Sequence, residues 1–271
     1  MSSRPPLVAV VPALDEAATI GAVVAGAAAS CDEVVVVDNG SVDATAARAA
    51  AAGARVVRQP SRGYGAACLT GALAADPAAV LLFLDGDGSD DPAALATVTG
   101  PVLAGEADLV LGSRALGRRE PGSVLGHQMA ANRAMAAIVR ARWGVRLTDL
   151  GPLRAIARTD LVALRMRSAT YGWPLEMVVK AARGGLRVVE VPVDARARAG
   201  GESKVSGTVG GTIRTAVRFA EILLRDGLGP RARAPGASMK CARPKRPTNL
   251  TAGSPLTEQI LRRNCRRSCV P

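Results

Sequence analysis

VLLFLDGDGSDDP, residues Val80–Pro92, carries five apolar residues directly into four carboxylates, Asp85, Asp87, Asp90 and Asp91. An uninterrupted apolar run of this length, closed by a glycine-containing loop, reads as a strand buried on both faces of a parallel sheet. Asp91-Pro92 reads as a helix N-cap followed by proline at the first helical position, and with Asp90 it starts a helix over Pro92–Leu103. Asp85 and Asp87 are not needed for that cap. Separated by one glycine, they can converge on a single divalent cation. Mg²⁺ or Mn²⁺ suits such a pair, because these ions take one or two carboxylates and complete their shell with substrate phosphates and water.

The same rhythm extends to both sides of this stretch. Leu7–Val11, Glu33–Val37, Arg55–Arg58 and Asp108–Leu111 read as further strands, most of them rich in valine. Ala17–Ala29, Ala44–Ala52 and Gly65–Ala75 have helical length and composition, with Gly53 as a C-cap. Strands alternating with helices in this way predict a doubly wound, mostly parallel α/β sheet with helices on both faces. After Arg114 the rhythm changes: a longer helix over Ser123–Trp143, a short strand Leu153–Ile156, a helix Pro174–Arg183 and a strand Leu186–Val193. A last helix follows over Thr208–Arg225. Residues 1–226 are expected to form one domain. Residues 227–271 have no periodicity and read as a disordered basic tail.

Of 271 residues 48% are hydrophobic and 2% aromatic, and the net charge is +12. The charge is unevenly placed: residues 1–226 hold 25 Lys and Arg against 22 Asp and Glu, and residues 227–271 hold 10 against 1. The basicity therefore belongs to the tail, and no nucleic-acid partner is expected of the main domain. Five cysteines without a CxxC pair read as reduced thiols, and no apolar run reaches the ~18 residues of a membrane span. A cytoplasmic protein is expected, with a peripheral place at the inner face of the plasma membrane left open by the amphipathic last helix.

Ligands of open parallel sheets sit beyond the carboxyl ends of the strands. Three such ends carry polar residues: VAVVPALDEA, EVVVVDNGSVDAT and LLFLDGDGSDD. Asp38 at the second suits a nucleobase edge or ribose hydroxyl, and equally suits shaping the turn. A rival reading takes Gly63-x-Gly65-x-x-Cys68 as a dinucleotide loop and Asp85 as its ribose acid, making the chain an NAD-dependent oxidoreductase. That motif is incomplete, sits on the third strand and leaves Asp87 unexplained. A non-catalytic nucleotide-sugar binder is the third class.

VVPALDEAATI, VVVVDNGSVDAT, RGYGAACLTGA, LLFLDGDGSDDP and DLVLGSR, in this order, resemble the family 2 glycosyltransferases of GT-A fold. LTDLGPLRAI, WPLEMVVKAA and RAGGESKVSGT resemble the bacterial branch related to dolichyl-phosphate mannose synthase. The resemblance covers Leu7 to Arg225 and implies a nucleoside-diphosphate-sugar donor. It implies that Pro12, Glu16 and Asp38 line the base and ribose, and that Gly63 and Gly65 let the backbone approach the nucleotide. Asp85 and Asp87 become the DxD, with Asp85 near both ribose and metal. Arg114 would steady a diphosphate or acceptor phosphate, Asp149 would act as base or acceptor-side acid, and Glu176 would face the cleft or pair with Lys180. Arg154, Arg198, Ser203 and Lys204 would bind acceptor phosphate. The preferred acceptor is a polyprenyl phosphate, with a soluble small molecule or a cell-envelope glycan as the alternative, and transfer with inversion follows from the resemblance alone. His127, the only histidine, is left outside the site.

Overall fold

The computed structural model describes residues 4–118, 120, 126–195, 219 and 221–226. Arg198, Ser203, Lys204, the side chain of His127 and the expected tail 227–271 lie outside these. Seven strands form one sheet: β1 (Leu7–Ala13), β2 (Glu33–Asp38), β3 (Arg55–Arg58), β4 (Val80–Phe83), β5 (Leu109–Ser113), β6 (Arg154–Ala157) and β7 (Val188–Pro192). The helices bounded within the described residues are α1 (Ile20–Ala28), α2 (Thr45–Ala51), α3 (Tyr64–Ala74), α4 (Leu95–Leu103), α5 (Gly126–Trp143), α6 (Arg158–Ala163) and α7 (Trp173–Arg183), and residues 221–226 are helical as well. The order across the sheet is β3-β2-β1-β4-β6-β5-β7.

Strand alternation explains why the sheet is covered on both sides. Val8 and Val10 of β1 and Val35 and Val37 of β2 pack with α3 residues Ala67, Cys68 and Ala72. Ala9, Val11, Val34 and Val36 point the other way, toward Ile20 and Val24 of α1, Ala49 of α2 and Leu95 of α4. With both faces apolar, the strands lose the polar-apolar alternation of a half-exposed sheet, as expected for interior parallel strands. β3 lies at the edge and is flanked by Arg55 and Arg58, which keep that edge hydrated.

The sheet is mostly parallel, as expected, and its exception is β6, which runs antiparallel to both β4 and β5. Four residues, RAIA, fit either direction, because burial on two faces does not encode strand polarity. The short helix α6 was not expected either; six residues are too few to display a helical period. Pro92–Ala94 form a 3₁₀ turn before α4 begins at Leu95, with Asp91 Oδ1 accepting from the Ala93 N–H at 3.0 Å. No helix among the described residues is long and apolar enough to cross a membrane.

The chain winds from β1 to β2 and β3 on one side and returns to β4 on the other. The strand order therefore reverses between β1 and β4, and the crevice beyond their carboxyl ends is where a sheet of this kind takes its ligand.

Candidate active site

A cleft of about 510 Å³ opens at that reversal, and Pro12, Glu16, Gly63, Asp85 and Asp87 all line it. Five of the expected residues are thus brought together. The loops that carry them are laced to one another. Asp15, in the left-handed region at φ 51°, accepts the Val42 N–H at 2.8 Å, while its own N–H donates to Ser41 Oγ. The Glu16 N–H donates to Thr45 Oγ1 and the Ala17 N–H to Asp43. Asp38 Oδ1 accepts the Ser41 N–H at 2.9 Å and so shapes the turn. The cleft wall beside it is Asn39, whose Oδ1 accepts the Gly63 N–H at 3.1 Å.

The acidic loop after β4 forms the cleft's charged end. Asp87 is 5% exposed, and its Oδ1 accepts the Ser89 N–H at 3.0 Å in an Asx turn. Asp90 does not cap the helix, as the sequence suggested. Its Oδ2 accepts the Asp85 N–H at 3.1 Å and its Oδ1 pairs with Arg114 Nη2 at 2.9 Å, so it ties the acidic loop to the end of β5. Arg114 also reaches Ser89 Oγ at 3.3 Å. Burial works against the Arg114 charge, but Asp90, Asp85 and Asp149 outweigh it and hold the guanidinium above its ordinary range.

Asp85 lies under the opposite pressure. Burial first, then the charges of Asp90 and Asp87, push its carboxyl up to about 7, against the counter-pull of Arg114 and a hydrogen bond from Tyr64. A carboxyl raised by burial and further by the like charges of Asp90 and Asp87 marks a site with surplus negative charge, and a divalent cation relieves it. Among the described residues no three His, Cys, Asp or Glu side chains form a metal cage. The donor set fits an ion that draws its remaining ligands from substrate oxygens and water.

A pH dependence follows. Below about 7 the Asp85 carboxyl holds a proton that a cation must displace, and in the unfolded chain it would hold that proton only below the usual carboxylate range. Cation affinity is expected to weaken about tenfold per pH unit as pH falls below 7, the slope of one displaced proton. In the absence of cation this group's contribution to stability is largest at low pH and is lost as pH rises through 7. Mn²⁺ titration by calorimetry from pH 5.5 to 8 measures the slope; a flat profile would remove Asp85 from the cation site.

Four expected residues have structural partners in the fold. Gly63 and Gly65 meet protein backbone: a Cβ on them would lie 2.3 Å from the Ala169 carbonyl oxygen and 2.1 Å from that of Ser168. This contact, with the Ala66 N–H donating to the Ala169 carbonyl, removes the dinucleotide-loop reading. Arg154 is 1% exposed, and its guanidinium donates to the carbonyls of Leu150, Gly151, Pro152 and Pro174. It binds the 150–152 loop to the first turn of α7 from beneath and does not offer itself to a phosphate. Glu176 is fully buried and accepts from the Arg167 and Ser168 N–H groups, Lys180 and Arg225. It clamps the segment that carries Thr170 and Tyr171 to the cleft. Asp90, as above, is a site residue.

Asp149 stands where β5, β7 and the 150–152 loop meet. Its Oδ2 accepts the Arg114 N–H at 3.1 Å and its Oδ1 the Leu150 N–H at 2.7 Å, while Glu190 of β7 accepts the N–H groups of Thr148 and Asp149. Asp149 therefore fixes the backbone of Arg114. Sequence reasoning missed the aromatic wall. The chain's two tyrosines, Tyr64 and Tyr171, both line the cleft and stack with ring centroids 6.2 Å apart. Burial, then Asp85, raises the Tyr64 phenol well above its ordinary range, so it remains a donor. With so few aromatics in the chain, RGYG and YGWP were the available signals.

The profile of glycosyl transferase family 2 matches residues 8–164. An uncharacterized glycosyltransferase of Mycobacterium tuberculosis (strain ATCC 25618 / H37Rv) is 37% identical over 217 residues, covering 79% of this chain and 96% of that protein. The undecaprenyl-phosphate mannosyltransferase of Micrococcus luteus is 35% identical over 140 residues, 49% of this chain and 55% of its own. Among solved structures, glucosyl-3-phosphoglycerate synthase from Mycobacterium tuberculosis in complex with Mn²⁺, UDP-glucose and phosphoglyceric acid superposes with a TM-score of 0.66 at 25% identity. That match covers 86% of this chain and 81% of the other.

Proposed function

The chain belongs to glycosyl transferase family 2 and is a glycosyltransferase, and from that premise we propose that it moves a sugar from a nucleoside diphosphate to a phosphate-bearing acceptor, with inversion. The observation that carries this reading is the half-buried Asp85 and buried Asp87 lining the β1/β4 crevice, with buried Asp90 behind them paired to Arg114. The solved relative holds Mn²⁺ and UDP-glucose, which supports a divalent cation and a nucleotide-sugar donor here.

The nucleotide lies along Pro12, Glu16 and Asn39, on the two loops that the Asp15, Ser41 and Thr45 hydrogen bonds hold together. Asp85 and Asp87 hold the cation, which when bound offsets charge on the departing diphosphate. Arg114, kept charged by Asp90, stands at the same end and steadies the anionic groups. An acceptor oxygen forms its bond to the anomeric carbon on the face opposite the diphosphate, whose oxygen takes the electron pair of the breaking bond. One such displacement inverts the centre, through an oxocarbenium-like transition state. If the acceptor oxygen belongs to a phosphate it is already an anion and needs orientation more than a base. Asp149 then acts by placing Arg114.

Both named relatives point to phosphate on the acceptor: phosphoglyceric acid in one, undecaprenyl phosphate in the other. A soluble phosphorylated acid and a polyprenyl phosphate therefore share the chemistry this end of the cleft offers. A thermal-shift screen of UDP-, GDP- and TDP-sugars with and without Mn²⁺ tests the donor half. One nucleotide sugar should raise the melting temperature by several degrees and only with Mn²⁺, since ligand at 100 times its Kd adds about 2.7 kcal/mol. Equal stabilisation by all three, or by none, would sink the reading.

A further inference from the structure

β7 reads VVEVP, and its side chains alternate between the two faces of the sheet. Val189 and Val191 pack with α1 and α4, and Val188 packs on the other face with α3 and α7. Glu190 therefore takes a position on the Val188 face, half-buried in the strand at one end of the sheet order. Among the described residues no lysine or arginine pairs with it, and it is not part of the cleft wall. A carboxylate in such a place must be answered by hydrogen bonds.

Among the described residues three donors answer it, all from one dipeptide. Glu190 Oε1 accepts the N–H groups of Thr148 and Asp149, each at 2.9 Å, and Oε2 accepts the Thr148 hydroxyl at 2.9 Å. That hydroxyl has given its hydrogen to Glu190, so at 2.7 Å it accepts from the buried Ser113 Oγ. Asp149 in turn accepts the Arg114 N–H at 3.1 Å through Oδ2. Both chains of hydrogen bonds that leave Glu190 thus end on Ser113-Arg114 at the exit of β5, one through a hydroxyl and one through a carboxylate.

We propose that Glu190 is a positioning residue for the transfer reaction: from outside the cleft, through Thr148 and Asp149, it sets where Arg114 presents its guanidinium. The proposal rests on the transferase reading above for what Arg114 does once placed. The β5–β7 ladder ends at Ser113 opposite Pro192, one residue short of Arg114. A backbone just past its last ladder pair needs an acceptor from elsewhere, and Asp149 supplies it. Asp90 holds the far end of the Arg114 side chain. Glu190, by fixing the dipeptide that carries Asp149, holds the near end.

Hydrogen exchange and a double-mutant cycle on the full chain test this. Glutamine at 190 keeps one acceptor oxygen and turns an N–H₂ toward donors. Glu190→Gln should therefore speed exchange of the Arg114 N–H about tenfold more than that of Val110 and Leu111 in the same strand. It should lower kcat for nucleoside diphosphate release about 10- to 100-fold, the range for coupled neighbours. In an Arg114→Ala background the same substitution should cost less than about twofold, because the group it places is gone. Thr148→Val, which removes the hydroxyl link and retains both N–H groups, is the milder variant; its smaller loss should also vanish in that background. Equal fold-losses in the parent and Arg114→Ala backgrounds would make Glu190 merely structural and overturn the proposal. So would an Arg114 N–H whose exchange rises no more than that of Val110 and Leu111. A parent chain that releases no nucleoside diphosphate from any sugar donor would instead remove the transferase reading, and the exchange result would still decide whether Glu190 places Arg114.

Discussion

Asp87→Ala is expected to lower turnover by about 10³-fold or more and to abolish Mn²⁺-dependent stabilisation by donor, while leaving the chain folded. The magnitude follows from the several kcal/mol of transition-state charge that a bound cation offsets at a leaving diphosphate. Folding survives because the alanine still permits the turn from Gly86 to Ser89, where the hydrogen bond to the Ser89 N–H contributes about 1 kcal/mol. Removing one of three crowded acids also relieves Asp85, whose carboxyl is raised partly by Asp87. The variant should therefore be no less stable than the parent without cation. Asp91→Ala in the same loop is the contrast. It removes a cap, costs about 1 kcal/mol of stability, and leaves turnover within a few-fold. Steady-state release of nucleoside diphosphate, measured beside thermal unfolding, separates the two. Equal turnover in Asp87→Ala and the parent would mean that the cation, if bound, sits elsewhere.

How much of this could be seen in the residues depends on whether the signal is local. The apolar runs around Val8, Val35, Leu82 and Val110 mark four strands, because burial on both faces requires nothing of the sequence but hydrophobicity, and Val56-Val57 between two arginines marks the edge strand. Asp85-Gly86-Asp87 stands out for the same reason: both acids and the glycine between them are adjacent. What could not be read is tertiary. Asp90 has the sequence of a cap residue, and only the fold brings Arg114 to within 2.9 Å of it. Gly63 and Gly65 look like a phosphate-binding loop until the backbone at Ser168 and Ala169, a hundred residues on, fills the space in front of them. Arg154 and Glu176 are polar residues in apolar surroundings, which suggests catalysis, but the groups they satisfy are backbone carbonyls and N–H groups that no periodicity reveals. Asp90, Arg154 and Glu176 share one physical origin: a buried polar side chain must find partners, and catalytic and structural partners look alike in one dimension.

Glu176→Gln separates those two roles. The carboxylate accepts the Ser168 N–H at 2.6 Å and the Arg167 N–H at 3.0 and 3.1 Å, and pairs with Lys180 at 2.8 Å. Glutamine presents an amide N–H₂ to at least one of these donors, and removes the charge that balances a lysine only 12% exposed. Arg225 is 43% exposed, so its share is screened by solvent and counts for little. Breaking a buried pair from one side costs about 3–5 kcal/mol, which for a domain of this size lowers the melting temperature on the order of 10 °C. Function should respond through position. The Arg167–Ser168 segment leads into Thr170 and Tyr171 on the cleft wall and abuts Gly65 at the start of α3. Loosening it should raise the KM for donor several-fold, while kcat, measured well below the new melting temperature, stays within about threefold of the parent. A general base would give the opposite split, a kcat loss of about 10²–10⁴-fold with the melting temperature unmoved. That result would return Glu176 to the reaction and require the clamp at Ser168 to open during turnover.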